Sequence, residues 1–197
     1  YLREFQNTHA FLHSNTIMML NVFETVKQYN KKIIFASSVT AFDLDNSYGN
    51  CKLLGERLCA SIGGISVRLW NIYGFETDPS RYHVVMDFIS QARTEGKISC
   101  NTTGHERRQF LYGEDCASAI FSIINRYNEI IERTIHISSG KWTSIHDVAH
   151  LVADVCNVGA PIFSDRVETL QQNEYSPYIS PPDWVAMTDL RSGIKKI

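Results

Sequence analysis

A strand–helix–strand succession between residues 33 and 69 is the feature that most restricts the fold of this chain. Ile33–Ala36 is a short apolar run, which suits a parallel strand that is buried on both faces. A helix is predicted from about Tyr48 to Ala60, with Gly63-Gly64 as its terminator. The apolar run Ile65–Leu69 follows directly. A chain in which strands and helices alternate favours a parallel, doubly wound α/β sheet.

The spacing of apolar residues predicts further elements on both sides of this unit. The predicted helices are 9–29, 84–94, 115–126 and 144–156, and the predicted strands are 134–137 and 161–163. Ser144 has the character of a helix N-cap, with Asp147 three residues later. A polar, proline-marked surface loop is expected at 171–182. The alternation weakens after about residue 75, which predicts a smaller second lobe at the carboxyl edge of the sheet, where such sheets bind ligands.

The composition indicates a folded globular protein that binds neither nucleic acid nor membranes. Of the 197 residues, 44% are hydrophobic and 20% are charged, which is ordinary for a globular domain. The net charge is −2 and no long basic run occurs, so nucleic acid and acidic membrane surfaces are not expected partners. The apolar runs are far shorter than the ~18 residues that indicate a membrane-spanning helix.

The cysteines and histidines predict neither disulfides nor a metal site. The five cysteines are odd in number and no two are separated by two residues, so a reducing cytoplasm is the expected compartment. His9 and His13 are four residues apart on a predicted helix, as a zinc pair can be, but no third ligand is in register with them.

The segment Tyr48-Gly49-Asn50-Cys51-Lys52 carries the clearest chemical pattern. On a helix, residues four apart lie on one face, so this tyrosine and lysine can reach the same ligand. A free tyrosine has a pKa of about 10 and is a poor base at neutral pH. A neighbouring ammonium group favours the phenolate and lowers that pKa. A phenol tuned in this way can exchange a proton with a sugar hydroxyl while a hydride leaves or returns.

Two serines, Ser37 and Ser38, follow the first predicted strand. Their position at the carboxyl end of the strand would bring them to the crevice that Tyr48 and Lys52 are expected to face. A serine hydroxyl there can donate a hydrogen bond to a reacting carbonyl or alcohol oxygen.

These segments and others, in the same order, resemble the extended short-chain dehydrogenase family, in its nucleotide-sugar epimerase and dehydratase branch. The segments are Phe35-Ala36-Ser37-Ser38, Tyr48-x-x-x-Lys52 with Gly55-Glu56-Arg57-Leu58, Arg68-Leu69-Trp70-Asn71-Ile72-Tyr73-Gly74, Gly104 to Ala117, Ile137-Ser138-Ser139-Gly140, and Asp189 before the final lysines. The resemblance covers nearly the whole chain. It implies a Rossmann-like sheet that lacks its first strands here, with residues 1–75 forming the second half of a dinucleotide-binding domain. Residues 76–197 would be mainly a substrate-binding lobe, with segments that return to the sheet.

The resemblance also implies a role for each matching residue. Tyr48 would be the catalytic acid and base, Lys52 would hold the ribose of NAD or NADP and lower the tyrosine pKa, and Ser38 would bind the reacting sugar oxygen. Ala36, Ser37 and Ile72 would line the nicotinamide. Asn71 and Arg108 would bind the diphosphate of a nucleotide-sugar substrate, a role that suits the fixed donors of arginine.

The sequence departs from the family in several places. No Gly-x-x-Gly-x-x-Gly segment is present, and the unit that carries it needs ~30 residues before the start of this chain. The chain therefore reads as one that begins mid-protein. Only five residues separate Phe42 from Tyr48, where the family has a longer loop. Gln109 stands where the family has an aspartate. Val39-Thr40 replaces the acidic pair of the 4,6-dehydratases, which disfavours a dehydratase.

Three functions remain open at this level. The first is reversible NAD(P)-linked epimerisation of a nucleotide sugar, and the second is one-way reduction of a nucleotide keto-sugar by NADPH. The third is a non-catalytic binding module, which the missing glycine-rich unit would suggest.

A homodimer is also expected, because the family pairs the two helices predicted at 9–29 and 48–60 across a two-fold axis. The apolar surface of the first helix is wider than one core-facing stripe requires, since it includes Met18, Met19, Leu20, Val22 and Phe23.

Overall fold

The computed structural model of the protein describes residues 8–43, 45–167 and 179–197. Within these residues lie six α-helices, eight β-strands and two short 3₁₀ helices. The α-helices are α1 (Thr8–Gln28), α2 (Ser47–Ser61), α3 (Val84–Glu95), α4 (Gly113–Asn125), α5 (Ile145–Cys156) and α6 (Leu190–Lys196). The strands are β1 (Ile34–Ser38), β2 (Ile65–Leu69), β3 (Asn71–Tyr73), β4 (Ser99–Cys100), β5 (Arg107–Tyr112), β6 (Thr134–Ile137), β7 (Trp142–Ser144) and β8 (Ile162–Phe163). The 3₁₀ helices are Val39–Phe42 and Pro79–Arg81.

The described residues divide into two compact units. The first contains the residues up to Trp70, Ile120–Ile137 and 179–184, and the second contains Asn71–Ala119, 138–167 and Val185–Ile197. The assignment of residues 1–75 to dinucleotide binding and of 76–197 to substrate binding remains a prediction.

The first unit is built on a parallel three-stranded sheet with the order β1-β2-β6. Ile34 pairs with Ile65, and Val67 pairs with Ala36 on one side and Ile135 on the other. The central strand β2 is almost entirely buried, as expected for a parallel strand with neighbours on both sides. The predicted parallel α/β sheet is confirmed.

Helices α1 and α2 pack together through a small apolar core. Met19 and Phe23 of α1 and Cys59 of α2 are its buried members, and the ring of Phe23 lies 5.7 Å from that of Phe35 on β1. The predicted terminator of α2 is confirmed, because Gly63 adopts a left-handed backbone with φ +77° that glycine accepts without strain.

The second unit combines parallel and antiparallel pairing. Strand β5 pairs in parallel with β3 and antiparallel with β7, while β4 and β8 form a separate two-stranded parallel sheet. Helices α3 and α5 supply much of its core through Val85, Ile89, Val148 and Val152. The predicted N-cap of α5 is confirmed, since the Ser144 side chain accepts from the backbone N–H of Asp147 at 3.0 Å.

The helices and strands that were predicted agree with the structure to within a few residues. Strands β3, β4, β5 and β7 were not predicted. Strands β3, β4 and β7 have only two or three residues, and β5 has a polar half followed by an apolar half instead of an alternating pattern. The predicted loop at 171–182 and the first seven residues lie mostly outside the described part of the chain. Within the described residues, no helix combines the length and the apolar character needed to cross a membrane.

Candidate active site

The first turn of α2 carries Tyr48, and the next turn carries Lys52. The helix begins there because the Asn46 side chain accepts from the backbone N–H of Gly49 at 3.0 Å, which caps the N-terminus. The Lys52 ammonium lies 5.4 Å from the centre of the Tyr48 ring, so both side chains share one face of the helix. The four-residue spacing predicted this arrangement.

Lys52 is held in place by the backbone of β1. Its Nζ donates to the carbonyl oxygen of Ala36 at 2.8 Å and lies 5.2 Å from the centre of the Phe35 ring. Burial lowers the pKa of Lys52 below its ordinary value, and the neighbouring Cys51 opposes this effect. Cys51 itself is buried, and burial raises the pKa of its thiol, so it is a poor nucleophile at neutral pH.

Ser38 ends β1 and caps the 3₁₀ helix that follows it. Its Oγ accepts from the backbone N–H of Thr40 at 3.2 Å and from the Thr40 hydroxyl at 2.9 Å. Both bonds use the lone pairs of the serine oxygen, which leaves the Ser38 proton to be donated. The side chain is half-buried and suited to donate to a substrate oxygen.

Gly49 allows α2 to approach this serine turn, a role that no local pattern in the sequence predicts. A Cβ at Gly49 would lie 2.0 Å from the carbonyl oxygen of Thr40 and 3.1 Å from that of Asp43. Since both neighbours are backbone atoms, only glycine fits without a shift of the helix or the turn. The tyrosine helix and the serine turn are therefore in direct backbone contact.

A buried polar network lies behind β1. The Ser37 hydroxyl donates to Oε1 of Glu56 at 2.5 Å, and Ser37 is only 3% exposed. Arg68 donates from Nε and Nη2 to the two carboxylate oxygens of Glu56, at 2.7 Å each. The Ser37 hydroxyl therefore donates to Glu56, and the expected contact of Ser37 with the nicotinamide remains a prediction. Glu56 and Arg68 lie in the segments that resemble the family, but no role was predicted for either residue.

The other predicted site residues lie in the second unit. Asn71 and Ile72 are half-buried residues of β3, which pairs with β5, where Arg108 is located. Nη1 of Arg108 donates to the carbonyl oxygen of Arg107 at 2.9 Å. Arg107 is exposed and donates to the carbonyl of Trp142.

The structure explains why glutamine is accepted at position 109. Gln109 is 2% exposed, and its Oε1 accepts a hydrogen bond from the Ser138 hydroxyl. Neighbouring residues of a strand point to opposite faces, so Gln109 turns inward while Arg108 is half-buried on the other face. A neutral amide at this buried position avoids the cost of a buried carboxylate.

Comparison with known proteins finds relatives among nucleotide-sugar enzymes. The model of the NAD dependent epimerase/dehydratase family matches residues 1–138. The chain is 26% identical over 222 residues to a GDP-L-fucose synthase of Sinorhizobium fredii, covering 94% of this chain and 70% of that protein. It is also 26% identical over 211 residues to a putative UDP-glucose 4-epimerase of Methanocaldococcus jannaschii, covering 93% of this chain and 67% of that protein.

A solved structure shows the same fold. The epimerase Mth375 of Methanothermobacter thermautotrophicus superimposes with a TM-score of 0.77 at 17% identity, over 94% of this chain and 63% of that one. The chain thus spans about two thirds of the length of these relatives. Since the family model matches well over half of its residues, the chain belongs to the NAD dependent epimerase/dehydratase family.

Proposed function

We propose that this protein is an NAD(P)-dependent epimerase of a nucleotide-activated sugar, with Tyr48 as its general acid and base. One observation carries the proposal: the Lys52 ammonium is fixed between the Ala36 carbonyl and the Tyr48 ring, on a helix that packs against the Ser38 turn. This arrangement supports the proposal, because it would put a proton carrier beside the cation that tunes its pKa, with a hydroxyl donor in the adjoining turn.

In the proposed reaction, Tyr48 removes the proton from a sugar hydroxyl as the carbon that bears it loses a hydride. The Lys52 ammonium stabilises the phenolate, which brings the tyrosine closer to operating pH. Ser38 donates its proton as a hydrogen bond to the oxygen that becomes the carbonyl. Return of the hydride to the opposite face of the planar carbonyl carbon, with the proton returned by Tyr48, gives the epimer.

The residues present fit a nicotinamide nucleotide. A bound nicotinamide would supply the acceptor for the hydride and the donor that returns it. Lys52 and Tyr48 would hold its ribose, because the ammonium can donate to sugar hydroxyl oxygens and the tyrosine oxygen can accept from sugar hydroxyls. Ala36 is exposed, and its carbonyl accepts from the Lys52 amine. A flat nicotinamide ring is proposed to lie against the backbone of Ala36 and Ser37. The family resemblance assigns Ile72 to the same ligand.

The substrate is proposed to be a nucleotide sugar, with Asn71 and Arg108 as the groups that bind its diphosphate. The guanidinium of Arg108 offers a planar set of donors that matches phosphate oxygens. Ser38 completes the proposed substrate contacts at the sugar.

Replacement of Tyr48 by phenylalanine tests the proposal. We expect Tyr48→Phe to abolish turnover with little change in nucleotide-sugar affinity, because the phenol oxygen moves a proton and adds little to ground-state binding. A variant that keeps more than about a tenth of the wild-type kcat would remove Tyr48 from this role, since general acid–base catalysis supplies ~10²-fold or more.

The cofactor balance of the wild type separates the candidate functions. An epimerase regenerates its dinucleotide in every turnover, so the amount of NAD or NADP stays constant while product accumulates. Stoichiometric consumption of NADPH would assign the one-way reduction of a keto-sugar instead. Nucleotide-sugar binding without turnover, with either dinucleotide present, would favour a binding module.

We also infer that the protein forms a homodimer through α1 and α2. Ile17, Met18 and Val22 of α1 and Leu54 of α2 are large apolar side chains with more than 40% of their surface exposed. A symmetric contact between these helices would cover them. The structure corrects the expectation for Met19, which is only 7% exposed and belongs to the core rather than to this surface.

A further inference from the structure

A buried ion pair lies one helical turn beyond the lysine of the candidate active site. Glu56 is 5% exposed and Arg68 is 9% exposed. The Arg68 guanidinium donates to both carboxylate oxygens of Glu56, at 2.7 Å each. Burial of both charges carries a large desolvation cost, and apolar residues of similar size often serve stability equally well. Stability alone therefore does not account for a glutamate and an arginine at these positions.

The glutamate also reaches the strand that holds Lys52. Ser37 donates to Oε1 of Glu56 at 2.5 Å, and Lys52 donates to the carbonyl of Ala36 at 2.8 Å. Lys52 and Glu56 are four residues apart, so two successive turns of α2 are bonded to two successive residues of β1. One bond is made by a side chain of the strand and the other by its backbone.

These two bonds share one rigid group. The carbonyl of Ala36 and the backbone nitrogen of Ser37 belong to the same peptide unit, which is planar and resists rotation. When Glu56 fixes the side chain of Ser37, it restricts the orientation of this plane. The direction of the Ala36 carbonyl follows, and with it the place where the Lys52 ammonium is held.

We propose that Glu56 is a positioning residue that acts through Ser37 and the 36–37 peptide unit to hold the Lys52 ammonium beside the Tyr48 ring. Arg68 keeps the Glu56 carboxylate in the orientation that accepts from Ser37, because its guanidinium donates to both carboxylate oxygens at once. The effect on the position of Lys52 follows from the contacts alone. Its effect on catalysis rests on the proposed function of Tyr48 and Lys52.

A double substitution separates positioning from stability. Glu56→Met with Arg68→Met removes the ion pair and the bond to Ser37 while filling the space with apolar atoms, so folding should be retained. We expect kcat to fall about 10- to 100-fold, since a displacement of about 1 Å at a catalytic group can cost 10²-fold in rate. The KM for the nucleotide sugar should change by less than about threefold, because its proposed diphosphate ligands lie on other strands.

A second measurement does not depend on turnover. Competitive labelling of Lys52 with an amine-reactive acylating reagent across a pH series gives the pKa of this amine in the intact protein. Burial lowers that pKa in the wild type, so release of the side chain from the Ala36 carbonyl should let it rise toward the value of an exposed lysine. Ser37→Ala leaves the ion pair in place and removes only the hydrogen bond between Ser37 and Glu56. This variant should also raise the pKa of Lys52. Arg57→Met, at an exposed position of α2, is the matched control and should leave both kcat and the labelling curve unchanged.

The outcomes distinguish this inference from the proposed function. If the double variant and Ser37→Ala keep the wild-type labelling curve of Lys52, Glu56 is not a positioning residue. If the double variant does not fold, Ser37→Ala alone decides the question in the same assay. If Tyr48→Phe turns over like the wild type, the proposed function fails, while the labelling result still tests the position of Lys52.

Discussion

Acid should destabilise this protein through one buried histidine. His136 on β6 is 5% exposed, its Nδ1 accepts from the indole N–H of Trp70 at 3.1 Å, and its ring stacks on Phe42 at 5.6 Å. Burial, assisted by the positive charge of Arg68, lowers the pKa of His136 from 6.5 to about 4. The folded protein therefore favours the neutral imidazole, which the bond from Trp70 also requires.

The direction and size of the effect follow from this shift. The folded-state pKa lies below that of the unfolded chain, so the stabilising contribution is complete above pH 6.5 and is lost as the pH falls toward 4. One pKa unit corresponds to about 1.4 kcal/mol, so the full contribution is about 3 kcal/mol. Between pH 8 and pH 5, about 2 kcal/mol of the free energy of unfolding should be lost through this group.

Denaturant unfolding of the wild type and of His136→Asn at pH 8, 6 and 5 measures this contribution. The asparagine oxygen can accept from the Trp70 indole but does not titrate. Between pH 8 and pH 5 the free energy of unfolding of the variant should therefore fall by about 2 kcal/mol less than that of the wild type. His105→Asn, at an exposed histidine, is the matched control and should follow the wild-type curve. Equal pH dependence in the wild type and His136→Asn would refute the assignment of His136 as a buried neutral imidazole.

Three further substitutions test the site and the assembly. Arg108→Ala should weaken nucleoside diphosphate binding by about 1.5–3 kcal/mol in calorimetry, the range for a hydrogen bond to a charged group. Gly49→Ala should lower kcat at least about tenfold and the free energy of unfolding by about 1–3 kcal/mol, because its Cβ would lie 2.0 Å from the Thr40 carbonyl oxygen. Met18→Glu should convert the dimer to a monomer in light scattering, because Met18 is 58% exposed on the proposed contact face.

Each of these substitutions has a control in the same chain. Arg107→Ala should leave nucleotide binding unchanged. If Arg107→Ala weakened binding as much as Arg108→Ala, Arg108 would not be the specific diphosphate ligand. Gly159→Ala should be tolerated, since a Cβ there meets nothing within 4 Å. Met19→Glu should unfold the protein rather than only dissociate it, because this side chain is in the core. A monomeric wild type would exclude the dimer outright.

The sequence predicted those features of the site that depend on neighbouring residues. The Tyr48–Lys52 pair was predictable because a helix brings residues four apart onto one face, and the structure places the ammonium 5.4 Å from the ring. The end of α2 at Gly63 and the cap at Ser144 were predictable for the same reason, since each is made by atoms within a few residues. The roles of Glu56 and Gly49 could not be predicted from the sequence, because each depends on contact with the segment that follows or ends β1.

Hydrophobic periodicity and short motifs are local properties of the chain, so the α/β class, the parallel sheet of the first unit and the residues expected to carry the chemistry were predictable from the amino-acid sequence. The partners that these residues meet emerge only in the folded structure. Ser37 and Glu56 are 19 positions apart, Gln109 and Ser138 are 29 apart, and Trp70 and His136 are 66 apart. No periodic pattern encodes such pairs, since they form where separate elements pack and buried polar groups must find hydrogen-bond partners.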